Sequence, residues 1–404
     1  MKRVGIVGAG ASGLVCAIEA ARKGHKVSLF EKNSKVGRKI LATGNGKCNI
    51  SNLNISLSRY HGESVATIKE VLKRFDTVTC KSFFAKLGLE MREGEAGKLY
   101  PMSHQASSVV DLLLHEARSL GVDIFLESEV KSIAHQQGAF CLHVKEQSYL
   151  FDACVIGTGS LAMPNLGSSG SGYGFAQSFG HRLVEPYPSL VQCVCDEASI
   201  ERASGVKMEA RVELYIENQK VQSVQGDLLF TAYGLSGSAI LEISRNVSYA
   251  CLKQERVHVI LDLMPTLSKE ALQSLLQKRL SLAKGKSLSL WLEGIIPKKL
   301  ALMILEKEKL LHVKDASQLS MKELKKIVFA LKALSLHVKE TKGFESAEVC
   351  AGGVDMSEIE PKNLMSRKIK ELYFCGEVLD VDGDCGGFNL HFAWASGFCV
   401  GQSL

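Results

Sequence analysis

The chain has no uninterrupted apolar run near the roughly 20 residues that a helical membrane span needs, so no membrane association is expected. Charge of one sign is also scarce: 49 Lys and Arg stand against 43 Asp and Glu, a net +6 at pH 7. That reads as a mild excess spread along the chain and argues for no nucleic-acid partner. Two short basic clusters, 322–326 and 367–370, read as solvated faces. None of the twelve cysteines forms a CxxC pair, and only Cys193 and Cys195 stand close together. This excludes a disulfide framework and the clustered ligands of a zinc site, so no metal is expected. Reduced, mostly buried thiols in a cytoplasmic protein are the expectation. Repeats, low-complexity tails and long polar linkers are missing too. The first apolar stretch is broken by glycines, which argues against a signal peptide.

What is there is an ordinary globular composition, 46% hydrophobic and 23% charged over 404 residues, enough for two or three domains or one domain with an insertion. The start is the most informative stretch. Lys2-Arg3-Val4-Gly5-Ile6-Val7 runs into Gly8-Ala9-Gly10-Ala11-Ser12-Gly13, and Glu31 follows a second apolar run, Val27-Ser28-Leu29-Phe30. This is a strand, a glycine turn, a helix, a strand and an acid in one βαβ unit. Gly8 allows the tight turn, Gly10 lets the backbone approach a pyrophosphate, and Gly13 lets helix pack on strand. Free N–H groups at the helix start face the phosphates, and Glu31 stands where a carboxylate accepts from an adenosine ribose.

Further on, 64–75 and 107–120 carry apolar residues at helical spacing, while 122–125, 130–133 and 140–144 alternate as strands do. A second glycine cluster, Val155-Ile156-Gly157-Thr158-Gly159-Ser160, ends a buried strand. A glycine- and serine-rich loop follows over 164–174, and loops of that kind hinge or hug a ligand. From about 190 to 263 the pattern becomes alternating strands, and 268–334 is helical and rich in Leu and Lys. Strand character returns at 371–375, before Gly376-Glu377 and a final helix over about 387–402. The organisation expected is a discontinuous nucleotide-binding domain, 1–188 with 346–404. Into it are inserted a β-rich segment, 189–264 with 335–345, and a helical segment, 265–334.

The C-terminal return chooses between cofactors. A simple NAD-type Rossmann domain completes its site in its first half, whereas flavin enzymes of the glutathione-reductase type end with a strand, a Gly-Asp/Glu pair and a helix aimed at the flavin. Gly376-Glu377 fits the second plan. Glu377, Asp380, Asp382 and Asp384 crowd like charge into eight residues and call for partners such as ribityl hydroxyls or backbone N–H groups. Gly386-Gly387-Phe388-Asn389-Leu390 places glycines at a helix start, whose N–H groups would stabilise charge on a reduced flavin.

With GAGASG at 8–13, TGNGKCNISN at 43–52, KLYPMS at 98–103, VIGTGS at 155–160, LLFTAYGLSGSAIL at 228–241, AGGVD at 351–355 and YFCGEVLDVDGDCGGFNLHFAWASG at 373–397, the chain resembles the BaiN/YhiN-like bacterial flavoproteins, over its whole length and in motif order. The resemblance implies an α/β glutathione-reductase-type FAD-binding Rossmann domain with an inserted β-barrel-like segment and a small helical domain. It implies that Gly8, Ala9, Gly10, Ser12 and Gly13 hold the pyrophosphate and that Glu31 and Lys32 hold the ribose. Arg38 and Lys39 would lie along the ADP, and Thr43, Gly44, Asn45, Gly46 and Asn49 would wrap the ribityl and ring. Val130 would meet adenine through its backbone, and Glu377, Gly387, Asn389 and Leu390 the ribityl-phosphate and pyrimidine end. Thr158, Gly159 and Gly376 complete the expected cofactor set. Two departures stand out. Lys47 replaces the family's usual arginine, keeping the charge but losing the bidentate fork, and Ser171 stands where an acid is frequent.

Flavin supplies the redox chemistry, so catalytic side chains are optional. Cys48 is a candidate redox thiol, His391 a candidate proton donor and Tyr233 a candidate donor from the insert. No second complete dinucleotide fingerprint is found, since Gly170-Ser171-Gly172-Tyr173-Gly174 lacks a preceding strand and a ribose acid. NAD(P)H is therefore a candidate transient donor that visits the substrate's face. The activity expected is FAD-dependent, NAD(P)H-linked reduction of a C=C bond conjugated to a carbonyl in a small organic substrate. Amine oxidation with oxygen is the alternative; a flavin-dependent RNA modifier or an FAD-binding redox interaction module is the alternative of a different class. The oligomeric state is not legible.

Overall fold

Strand β1, Arg3–Val7, is buried from Val4 onward because it lies inside a parallel sheet, where both faces are covered and strands read as continuous apolar runs. The computed structural model describes all 404 residues. They divide into one unit formed by Met1–Tyr187 with Glu348–Leu404, and a second formed by Pro188–Ala347.

In the first unit, β1 pairs in parallel with β2, Lys26–Phe30, on one side and with Ala153–Ile156 on the other. Asp123–Phe125 extends the sheet beyond β2, and Leu372–Phe374 closes its opposite edge. The edge strand comes from the last part of the chain, so the sheet is complete only after the chain has returned. Helix α1, Ala11–Arg22, is buried from Ser12 to Ala20. It has the sheet on one side and the final helix, Phe388–Gly401, on the other. Those helices meet at backbone distance, since a Cβ on Gly397 would lie 2.2 Å from the Ser12 carbonyl oxygen. An antiparallel three-stranded sheet, Val130–Gln136, Ala139–Val144 and Gln147–Phe151, packs alongside. Its Phe151 ring occupies the space a side chain on Gly5 would need.

The second unit is built on a closed antiparallel barrel of six strands: Cys193–Cys195, Gly234–Ser236, Gln219–Thr231, Lys207–Ile216, Val257–Asp262 and Leu334–Thr341. Alternation does the work expected of it, turning Ala210, Val212 and Leu214 inward from one strand and Val257, Val259 and Leu261 from another. The helices Lys269–Arg279, Leu288–Leu292, Lys298–Lys307 and Met321–Lys332 share one apolar core with the barrel.

The Rossmann-type α/β fold with a barrel-like insert is thus as expected. Several helices are not, among them Ser171–Ser178, which begins inside the loop expected over 164–174. Ser238–Leu252 lies inside the stretch whose alternation predicts strands, and its Ala239, Ile240, Ile243, Val247 and Ala250 are buried at helical spacing. Thr77–Lys86 forms despite its β-branched start, helped by Asp76, whose carboxylate accepts from the Thr79 N–H. No helix is long and apolar enough to cross a membrane.

Candidate functional site

The site begins where β1 ends. Gly8 has φ +104°, and a Cβ there would sit 2.4 Å from the Gly157 carbonyl oxygen at the end of the neighbouring strand. A Cβ on Gly13 would sit 1.9 Å from the Gly8 carbonyl oxygen. Both glycines are dictated by the protein's own packing. Gly10 is different: its backbone is extended and nothing lies within 4 Å of a Cβ built on it. Its missing side chain leaves room in a cleft, not for a neighbour.

That cleft has a volume of about 1300 Å³ when its open mouth is counted. Glu31 lies at its wall, 8% exposed, and is held rigidly. One carboxylate oxygen accepts from the Ala9 N–H at 3.0 Å, the other from the Asn33 N–H and side-chain amide at 2.9 and 2.6 Å. The carboxylate thus fastens the glycine turn to the end of β2 while keeping lone pairs for a ligand hydroxyl. Three cations line the same cleft. Lys32 donates to the Ser169 hydroxyl at 2.9 Å, Arg38 to the Asn33 side chain and the Asn165 carbonyl, and Lys39 to Glu377 at 2.5 Å.

Glu377 reaches this cleft from the far end of the sequence. Its second oxygen accepts from the Cys350 N–H at 3.1 Å. The acids after it are expected to need ribityl hydroxyls or backbone N–H groups as partners, and the protein itself supplies partners to two of them. Asp384 takes His61 at 2.7 Å and Arg59 at 3.2 Å, and Asp380 accepts from the Glu63 N–H at 3.0 Å. Protein groups supply these partners, and of the four acids only Glu377 lines the cleft. Gly387 begins the final helix with φ +97°, and a Cβ there would meet the Ser51 carbonyl at 2.6 Å. Asn389 is anchored by bonds of 2.7 Å to both the N–H and the carbonyl of Gly383. Nearby, the Asn49 side-chain oxygen is buried with no partner in the protein.

Gly8, Gly10, Ser12, Glu31, Lys32, Arg38, Lys39, Thr43, Val130, Thr158, Gly159, Glu377, Asn389 and Leu390 all line the one cleft. Ala9, Gly13, Gly44, Asn45, Gly46, Asn49, Gly376 and Gly387 do not. Several of these support it from behind: Ala9 ties Glu31, and Gly376 has φ +77° where a Cβ would strike the Ser12 hydroxyl at 2.4 Å. Sequence reading missed Asn33, Ser168, Ser169, Glu348, Phe392 and Ala393 as lining residues. The two serines stand in the loop noted for its glycine and serine content, and residues 392 and 393 follow Asn389 at helical spacing. Glu348 had no local signal. Its side chain keeps solvent contact, yet protein crowds it enough to raise its pKa, opposed by Lys39 and Lys98.

Neither the candidate redox thiol Cys48 nor the candidate proton donor His391 lines the cleft. His391 is fully buried, with Nδ1 2.8 Å from the Ser51 hydroxyl and Nε2 2.9 Å from the Phe75 carbonyl. A carbonyl only accepts, so Nε2 carries the proton and Nδ1 accepts from Ser51. Burial lowers its pKa to about 4, and the ring is a neutral bridge that does not line the cleft. Cys48 is buried at φ +58°, and burial pushes its thiol up to about 12, leaving it protonated at neutral pH. It too is not among the lining residues. Tyr233 belongs to the barrel unit, where its ring lies 4.6 Å from the Lys342 ammonium.

The cleft fits a dinucleotide on its own terms. Open space over Gly10 and Gly159, a fixed carboxylate at β2, three cations, and apolar walls from Val7, Val130, Val381 and Leu390 supply what phosphates, ribose and flat rings require. Comparison with known proteins agrees. The model of the HI0933-like protein Rossmann domain matches residues 2–403. The chain is 36% identical to a 3-dehydro-bile acid delta(4,6)-reductase of Clostridium scindens, covering 100% of this chain and 99% of that one. It is 32% identical to a ribosomal RNA dihydrouridine synthase of Escherichia coli, covering 99% and 97%. Among solved structures, the fold is similar to that of the 3-ketosteroid delta1-dehydrogenase of Sterolibacterium denitrificans, with TM-score 0.51 at 11% identity over 100% and 99% of the two chains. The chain therefore belongs to the HI0933-like Rossmann family and is an FAD-dependent oxidoreductase.

Proposed function

We propose that the protein reduces a C=C bond conjugated to a carbonyl, with FAD in the cleft and NAD(P)H as the transient electron source. The cofactor in this reading rests on the convergence of the glycine turn at 8–13 and the Glu377 segment, at opposite ends of the sequence, on one cleft, and the reaction rests on the relatives. Two relatives carry names that fit a ring reduction of this kind, a 3-dehydro-bile acid delta(4,6)-reductase and a ribosomal RNA dihydrouridine synthase.

When bound, FAD supplies two-electron hydride transfer. The chain's own residues do the holding. The N–H groups at the start of α1 and Gly10 would receive the pyrophosphate, with Arg38 near it, and Glu31 with Lys32 would hold the adenosine ribose. The Lys39–Glu377 ion pair would fix the ribityl side. Asn389 and Leu390, with Thr43 and the 44–49 loop, would bound the ring end. A steroid-like ring enone is the leading substrate, on the strength of the 36% identical relative. Uridine in RNA is the second reading, supported by the full-length likeness to the dihydrouridine synthase.

The test is anaerobic mixing of FAD-loaded protein with NADH or NADPH while following the visible flavin absorption, then addition of a 4-en-3-one or 4,6-dien-3-one steroid. Bleaching followed by recovery on adding the enone is expected. A flavin that neither nucleotide bleaches, together with oxygen uptake on amines, would overturn the reading in favour of an amine oxidase.

A further inference from the structure

The chain's positive charge is not spread evenly. Residues 265–334 hold 14 Lys and Arg against 6 Asp and Glu, leaving 35 against 37 in the rest of the chain. The entire net excess therefore sits on the helical layer of the second unit. Within it, the helix Met321–Lys332 buries Leu324, Ile327, Val328 and Leu331 and exposes Lys322, Lys325, Lys326 and Phe329. Those four stand at i, i+3, i+4 and i+7, one continuous face. Phe329 is 55% exposed, an unusual state for a large ring, and the Lys269 ammonium of the neighbouring helix stands 5.9 Å from its centroid.

The surroundings add cations and remove anions. The Lys286 carbonyl accepts from the Ala316 N–H, and Asp315 accepts from the Gly285 N–H, which joins two loops that carry exposed Lys284, Lys286 and Lys314. His312 ties this end to the helix through Glu323 at 3.4 Å. The acids in this region are engaged in local structure: Glu323 completes the capping box with Ser320, and Asp315 caps Ser317. Lysines 322, 325 and 326 have no carboxylate within ion-pair distance.

We infer that this face, Lys322, Lys325, Lys326 and Phe329 with Lys269, is a docking surface for single-stranded RNA. Exposed ammonium groups on one helix face suit the charge of a phosphate backbone, and an exposed ring beside a cation offers a base a stacking platform. An anionic lipid surface would also meet the lysines and take the Phe329 ring at its acyl boundary; the full-length likeness to a ribosomal RNA dihydrouridine synthase is what favours RNA. The inference rests on the second reading of the function, in which the reduced ring belongs to RNA.

The test measures binding apart from turnover. A uridine-rich RNA oligonucleotide is titrated with FAD-loaded protein at several salt concentrations. Wild type should bind with an affinity that falls steeply with salt, and Lys322→Ala/Lys325→Ala/Lys326→Ala should flatten the log–log slope by about 2, since each phosphate contact contributes about 0.7. Phe329→Ala should weaken binding about fivefold or more without changing that slope. All four positions are exposed, so unchanged circular dichroism and FAD content are expected. RNA binding that is absent, or untouched by the triple variant, overturns the inference, as does equal lysine-dependent binding to phosphatidylglycerol vesicles. If RNA binds through this face but its uridines are not reduced while a steroid enone is, the surface stands and the second reading of the function falls.

Discussion

At the residue scale, glycines of one motif turn out to have different reasons to exist. Gly8 and Gly13 are glycine because protein backbone occupies the place of a side chain, whereas Gly10 faces open space. Gly10→Val should therefore leave the fold intact, because its backbone is extended and a β-branched residue suits that region. The same variant should lose FAD, since the valine would fill the space over the turn. Equal melting behaviour of the apoproteins, with a colourless variant after reconstitution, is the expected result. A yellow variant loaded one to one would refute the placement. The motif was legible in the sequence, but which of its glycines serves a ligand was not, because that depends on what stands opposite each Cα.

At the scale of elements, His391 belongs to the joint between the final helix, the short strand Ser51–Asn52 and the end of the Val65–Arg74 helix. Removing the ring leaves a buried hydroxyl and a buried carbonyl unpaired, so His391→Ala should cost about 2 to 4 kcal/mol in urea unfolding. The pH dependence follows from a folded pKa lowered to about 4 against an ordinary 6.5. Between those values the unfolded chain takes up a proton that the native ring refuses. The stability contribution is full above pH 6.5 and is lost as pH falls toward 4, by about 3 kcal/mol. His391→Ala should lack this part of the acid slope. In the sequence, a histidine beside a glycine-led helix reads as a proton donor. Its burial is set by Phe75 and Ser51, more than 300 positions away, which no local pattern shows. The unforeseen helix Ser238–Leu252 is the opposite case, since its apolar spacing was present but sat among strands whose alternation dominated the reading.

At the scale of the whole molecule, the cleft proposed for FAD exists only when the two ends of the chain are together, so FAD binding there should be linked to folding of the first unit. With free FAD at about 100 times its Kd, unfolding should become about 2.7 kcal/mol harder, and the melting temperature should rise with added FAD. Thermal unfolding at graded FAD concentrations checks this; a midpoint independent of FAD would separate the cleft from the cofactor. By itself the sequence determined the βαβ start, the return to a Gly-Glu pair and a final helix, the alternating inserts and the family, because these rest on local spacing and on motif order. Only the tertiary structure decided that Glu377 pairs with Lys39, that Asp384 is taken by Arg59 and His61, that Cys48 and His391 are buried and do not line the cleft, and that the ring of Phe329 stands exposed beside Lys269. Those outcomes are set by distances between residues far apart in the chain and by what each side chain loses in leaving water, and neither quantity is written in local order.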